Sequence, residues 1–223
     1  MDDSADGPIV QRRSPGRTAV LPRNAPGMRI GLLGGSCHPA HGGHRMLSRT
    51  ALRRIGLDAV WWLVTPGNPL KDNAGLPPLA ARIAAAKAVA QDPRIAVTGL
   101  EADIGTRYTY DTIRYLTRRC PAVRFVWLMG ADNLAGFHRW QRWQRIARLV
   151  PIAVIDRPGT TLRATRSRTA VQLAGRRLDE RDSHLLPGSA LPAWVFIHGP
   201  RSSLSSTALR ALGRGLPPGR QAP

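Results

Sequence analysis

The sequence predicts an α/β fold built on a doubly wound, mostly parallel sheet. Two observations predict it. Short apolar runs alternate along the chain with segments of helical period, the pattern of parallel strands joined by crossover helices. The apolar runs also lack an inside/outside alternation, as expected of strands covered on both faces. The first strand is read at residues 30–33. A helix follows over about 44–55, with Leu47, Ala51 and Ile55 on one face and Gly56 as its stop. The second strand spans 59–64. The second helix spans 79–90, with Leu79, Ile83 and Ala86 spaced for one face. A short strand at 95–98, a helix at 111–119 and a strongly apolar strand at 123–129 come next. Residues 134–149 read as mostly helical, and 152–155 as a strand. Residues 157–192 are polar and poorly patterned. A short strand at 195–198 and a short helix at 206–212 complete the reading.

Length and composition suit one domain with tails. The chain has 223 residues, 43% of them apolar, enough to bury a substantial core. Residues 1–27 read as a disordered basic extension, 28–212 as the domain and 213–223 as a flexible tail. No run is long and apolar enough to cross a bilayer, so no membrane is expected as a partner. Asp2, Asp3 and Asp6 precede any apolar stretch, which does not resemble a secretory signal. Cys37 and Cys120 are far apart and form no CxxC pair. A reducing cytoplasm fits that usage, and a disulfide scaffold or structural zinc does not. The charge is unusual: 33 Lys and Arg against 14 Asp and Glu give +19. Such a field attracts polyanions, from nucleic acid to nucleotide phosphates. A plain bias toward arginine accounts for it equally well.

In doubly wound sheets ligands bind at the carboxyl ends of the strands, where strand order reverses. The loops after Leu33, Val64, Met129 and Ile197 therefore come first. The first strand runs into Gly34-Gly35-Ser36-Cys37-His38-Pro39-Ala40-His41-Gly42-Gly43-His44, and a helix begins there. Small residues let a phosphate approach the backbone, and a helix start offers free N–H groups and the positive end of its dipole. His41 and His44 can donate hydrogen bonds to a phosphate whose charge grows in the transition state. The Gly-Lys-Ser/Thr ending of a Walker loop is absent, and Gly31, Gly34 and Gly35 have the wrong spacing for a dinucleotide fingerprint. A metal cluster of His38, His41 and His44 is disfavoured by Pro39, Gly42 and Gly43, which break the helix that would align them. No metal-binding residue is assigned.

This segment resembles the GG(S/T)FxPxHxGH signature of the bacterial nicotinate-nucleotide adenylyltransferases, within the nucleotidyltransferase superfamily marked by HxGH. The resemblance covers roughly residues 28–212 and implies a Rossmann-like nucleotidyltransferase fold. It implies that His41 and His44 are catalytic and contact the ATP phosphates, with Gly34, Gly35, Ser36 and Gly43 keeping the turn open to them. Cys37 and His38 depart from the family's usual Phe and Asp or Asn.

Four further segments fall in family order. Lys71, in Asn68-Pro69-Leu70-Lys71, matches a basic residue near the triphosphate, although alone it reads as a surface lysine. Tyr108 and Thr109, in Arg107-Tyr108-Thr109-Tyr110-Asp111-Thr112, match the family's pyridine-mononucleotide residues. Thr109 or Asp111 is also a candidate helix cap. Asp132, in Gly130-Ala131-Asp132-Asn133, matches an aspartate near the adenosine, with an N-cap as the plain alternative. Trp140, three residues after Phe137, matches a tryptophan that stacks on the pyridine ring, and Trp143 is assigned to packing. Ser206 and Arg210, in Ser205-Ser206-Thr207-Ala208-Leu209-Arg210, match the (I)SSTxIR signature. A hydroxyl at a helix start and an Arg one turn later can hold phosphate oxygens.

The resemblance implies a cytoplasmic enzyme of NAD biosynthesis. It transfers AMP from ATP to nicotinate mononucleotide, giving nicotinate adenine dinucleotide and pyrophosphate. Mg2+ is expected mainly on the ATP phosphates, keeping most of its water. The partners are then ATP and nicotinate mononucleotide. A homo-oligomer is left open, and the acid form of the mononucleotide rests on the resemblance alone. The rivals are an adenylyltransferase for another phosphorylated acceptor such as phosphopantetheine, a tRNA-charging enzyme and a noncatalytic nucleic-acid-binding module. The chain is short for tRNA recognition and lacks a KMSKS-like loop. Aromatics at 5% supply no stacking surface for nucleic acid, so nucleic acid is not expected as a partner.

Overall fold

The computed structural model describes residues 19–67, 75–156 and 161–199. Lys71, Ser206 and Arg210 lie outside the described residues, as do the helix read at 206–212 and the tail. Among the described residues seven strands form one sheet: β1 Arg29–Gly35, β2 Ala59–Val64, β3 Ile95–Thr98, β4 Arg124–Gly130, β5 Ile152–Ile155, β6 Arg177–Leu178 and β7 Trp194–Ile197. Their order is β3-β2-β1-β4-β5-β7-β6, and every pairing is parallel. The chain winds outward from β1 through β2 to β3, then returns to place β4 on the other side of β1. That reversal puts the crevice of a doubly wound sheet between the exits of β1 and β4.

Helices cover both faces: α1 Gly42–Arg54, α2 Leu79–Ala90, α3 Leu100–Asp103, α4 Thr109–Arg119, α5 Ala131–Leu134, α6 Trp143–Ala147, α7 Thr161–Thr165 and α8 Arg168–Gln172. Period-2 side chains from each strand feed two separate cores. Ile30, Leu32, Trp61, Leu63, Phe125, Trp127 and Met129 pack with α4 and α6 residues such as Ile113, Leu116 and Ile146. The intervening Leu33, Trp62, Val64, Val126 and Leu128 pack with Leu47 and Ala51 of α1 and Ala86 of α2. Both faces are apolar, so the strands read as continuous runs.

Several features differ from the sequence expectation, among them the short helix α3, which was not read. The helix read over 134–149 is divided into α5, a 3-10 turn Phe137–Arg139 and α6, with Arg142 in the left-handed region at φ 55°. The stretch read as unpatterned holds α7, α8, the two-residue strand β6 and a 3-10 segment Glu180–Gly188. Within the 1–27 extension, Ala19 and Leu21 pack on the core and the Gly27 N–H donates to the Ala122 carbonyl at 2.7 Å. No helix of the described residues is long and apolar enough to cross a membrane.

Candidate active site

Gly34 and Gly35 end β1, and α1 begins seven residues later with His41 as its N-cap. The cap is an unusual one. The Gly43 N–H donates to His41 Nδ1 at 3.1 Å, and the His41 N–H donates to His44 Nδ1 at 3.4 Å. Each imidazole thus accepts at Nδ1, which places the proton of the neutral ring on Nε2. The capping box that usually uses a hydroxyl and a carboxylate is built here from two rings whose remaining nitrogens are donors. The rings lie 4.1 Å apart, centroid to centroid, and His44 also packs against Trp62 at 5.6 Å. The Trp62 indole N–H donates to Ser48 Oγ, and Ser48 Oγ donates to the His44 carbonyl, at 2.8 and 2.9 Å. The first turn of α1 is thereby pinned to β2. His41 is buried and His44 half-buried.

The two strand-end glycines serve different needs. A Cβ at Gly34 would meet the Trp127 ring at 2.7 Å, so packing demands glycine there. Among the described residues, a Cβ at Gly35 would meet nothing closer than the Cys37 backbone nitrogen at 4.0 Å. Among the described residues, the space that a side chain at Gly35 would enter is open. The Ser36 carbonyl accepts from Arg82, and Cys37 adopts the left-handed conformation at φ 48°. Cys37 is buried, 5% exposed. Burial pushes its thiol up to about 12, against the opposing pull of Arg82. With a pKa of about 12, roughly one thiol in 10⁴ is ionised at pH 8. The native protein at pH 8 is therefore expected to take up iodoacetamide at Cys37 at least ~10²-fold more slowly than the unfolded chain. Peptide mapping by mass spectrometry reads this, and rapid native labelling would contradict the buried placement.

The remaining described candidates sit at strand ends or helix starts. Tyr108 is the backbone N-cap of α4 and Thr109 its first residue; both are half-buried. No side chain caps that helix, so neither Thr109 nor Asp111 has the capping role. Asp132 follows β4 and is exposed, and Gly130 rather than Asp132 is the N-cap of α5. Trp140 is half-buried and stands edge-on to Trp127 and Phe137, with centroids 6.0 and 5.2 Å away. Trp143 is buried against Phe137, the packing role expected of it. Among the described residues no group of three or more His, Cys, Asp or Glu is placed to hold a metal ion.

Among the buried ionisable residues that the sequence reading missed, Arg82 and Glu101 flank the exit of β2. Arg82, on α2, donates to three backbone carbonyls at the exits of β1 and β2 and to the Pro77 carbonyl just before α2. Glu101, on α3, is hydrogen-bonded to Thr112. Burial raises the pKa of its carboxyl, with the neighbouring Thr65 and Thr112 hydroxyls opposing.

Residues 32–212 match the family model described as cytidylyltransferase-like. A probable nicotinate-nucleotide adenylyltransferase of Methylorubrum extorquens is 62% identical over 183 residues, 82% of this chain and 99% of the relative. The chain belongs to the nicotinate-nucleotide adenylyltransferases of the cytidylyltransferase-like family. Probable nicotinate-nucleotide adenylyltransferases of Bradyrhizobium sp. (strain ORS 278) and Brucella abortus (strain 2308) are 61% and 57% identical, each over 82% of this chain and over 95% and 94% of their own lengths. The fold is also similar to that of Plasmodium falciparum nicotinic acid mononucleotide adenylyltransferase complexed with NaAD. The TM-score is 0.62 at 18% identity, covering 82% of this chain and 83% of that one. This adenylyltransferase is thus a nucleotidyltransferase enzyme with a Rossmann-like sheet.

Proposed function

We infer that the enzyme transfers AMP from ATP to the 5′-phosphate of nicotinate mononucleotide, a step of NAD biosynthesis. One observation carries the mechanism: two histidines at a helix start, each accepting at Nδ1 and so left with an Nε2 donor. An acceptor phosphate oxygen attacks the α-phosphorus of ATP, the bond to the bridging oxygen breaks, and pyrophosphate leaves. The nucleophile is already anionic, so no covalent enzyme intermediate is needed. Catalysis then rests on positioning and on stabilising developing charge.

In this reading His41 and His44 donate to the phosphate oxygens as charge builds on them. The open space at Gly35, with Ser36 and Gly43 beside it, admits the triphosphate, and Gly34 sets the strand end. Asp132, at the exit of β4, accepts from the adenosine ribose. Lys71, Ser206 and Arg210, outside the described residues, are proposed to hold phosphate oxygens. A divalent cation, proposed as Mg2+, would be held by triphosphate oxygens and water and would neutralise charge on the departing pyrophosphate. The scarcity of carboxylates around the glycine turn fits that arrangement. A cytoplasmic site of action is proposed with it.

Tyr108, Thr109 and Trp140 form the proposed acceptor side. Trp140 is braced edge-on by two rings, and the pyridine stacks on it. Trp140→Ala is expected to raise the KM for nicotinate mononucleotide roughly 10-fold, the scale of about 1.4 kcal/mol of ring stacking. The KM for ATP should stay within about twofold. Steady-state kinetics with each substrate varied reads the split, and equal effects on both would remove Trp140 from the acceptor site.

A further inference from the structure

Arg82 and Glu101 meet the chain at Thr65, the first residue after β2, from two sides. Arg82 is 4% exposed. Its Nη1 donates to the Ser36 carbonyl at 2.9 Å and the Thr65 carbonyl at 2.7 Å. Its Nη2 donates to the Pro66 carbonyl at 3.1 Å, and its Nε to the Pro77 carbonyl at 2.9 Å. One guanidinium thus ties together the glycine turn, the exit of β2 and the approach to α2. Glu101 is 5% exposed and stands beside the side chain of Thr65, whose hydroxyl donates to the Gly67 carbonyl at 2.9 Å. It also accepts from Thr112 Oγ1 at 3.2 Å, and Thr112 is hydrogen-bonded to Thr106 at 2.9 Å. Thr112 lies in the first turn of α4, directly behind Tyr108 and Thr109.

We propose that Arg82 and Glu101 are positioning residues that act through Thr65 as a brace, setting the phosphate turn against the Tyr108–Thr109 segment at the separation that in-line transfer requires. The proposal rests on the functional reading above. A buried guanidinium is costly unless its donors are satisfied. Among the described residues no carboxylate pairs with Arg82, and backbone carbonyls from separate segments satisfy it instead. Those donors stay satisfied only while Ser36, Thr65, Pro66 and Pro77 hold their places. A planar fork with fixed donor directions suits this task, and a lysine cannot reproduce it. Each half-site would still bind its own substrate with the brace broken, but the reacting phosphates would be misaligned.

The test is a kinetic cycle on full-length wild type, Arg82→Lys, Glu101→Gln and the double variant. It measures kcat, the KM for ATP and the KM for nicotinate mononucleotide, with thermal unfolding recorded on each protein. The brace predicts a kcat loss of ~10-fold or more in Arg82→Lys, within the ~10²-fold scale of a 1 Å misplacement. Both KM values should stay within about threefold, and the double variant should lose less than the product of the single losses. Wild-type kcat in either folded single variant, or an effect confined to one KM, would overturn the brace. Failure of even Arg82→Lys to fold would overturn it too, because the side chain would then be holding the domain rather than the site. A wild type inactive toward nicotinate mononucleotide would be a different failure, overturning the functional reading and the brace together.

Discussion

His44→Ala is expected to lower kcat by about 10²–10³-fold, the scale for losing one preorganised transition-state donor. The variant should still fold. His44 is half-buried, and its side chain accepts the His41 N–H through a long bond of 3.4 Å. The links that pin the turn to β2 run through its carbonyl and Ser48, which alanine keeps. His41→Ala would be a less clean experiment. Its Nδ1 caps α1 through Gly43, so its loss would add about 1 kcal/mol of destabilisation to any catalytic effect. Turnover of purified His44→Ala by pyrophosphate release, with its melting temperature alongside, separates the two contributions. Turnover within a few-fold of wild type in a folded protein would remove the histidine pair from the chemistry.

Gly35→Ala should do the reverse of an ordinary glycine substitution: leave the fold alone and remove activity. The backbone at Gly35 is ordinary strand, paired with Val64, and is not among the positive-φ positions. Among the described residues an added methyl meets nothing closer than 4.0 Å. Stability should therefore change by less than about 0.5 kcal/mol. If the open space is where the triphosphate approaches the backbone, the methyl occupies it and kcat/KM should fall by ~10² or more. Gly34→Ala serves as the contrast. There the new Cβ would sit 2.7 Å from the Trp127 ring, and overpacking should cost about 1–3 kcal/mol. A fully active Gly35→Ala enzyme would mean that the nucleotide passes elsewhere.

Most of the sheet was legible because its strands are buried on both faces. The bounds of β2, β3 and β5 follow directly from runs such as Ala59–Val64, where β-branched and aromatic residues sit together. β6 was not legible: two residues, Arg177 and Leu178, carry no period. The 134–149 stretch misled because its apolar spacing is helical, while Gly136 and the left-handed Arg142 break it into single turns. In the site, His41 and His44 could be found because a glycine turn between strand and helix is a local pattern. Arg82 could not. In the alanine-rich helix Leu79–Ala90 it reads as one more surface arginine, and its role is set by carbonyls as far as 46 positions away in the chain. Glu101 is similar, with its neighbours supplied by the exit of β2 and the start of α4. Cys37 was visible as a departure, but its burial and its backbone at φ 48° were not.

The most direct measurement incubates the protein with ATP and Mg2+ and offers nicotinate mononucleotide, nicotinamide mononucleotide and phosphopantetheine in separate reactions. Products are identified by mass, and pyrophosphate is followed in each. Nicotinate adenine dinucleotide is expected to form fastest, with one pyrophosphate released per dinucleotide. Product from phosphopantetheine alone, or no product from a folded protein that binds ATP, would contradict it.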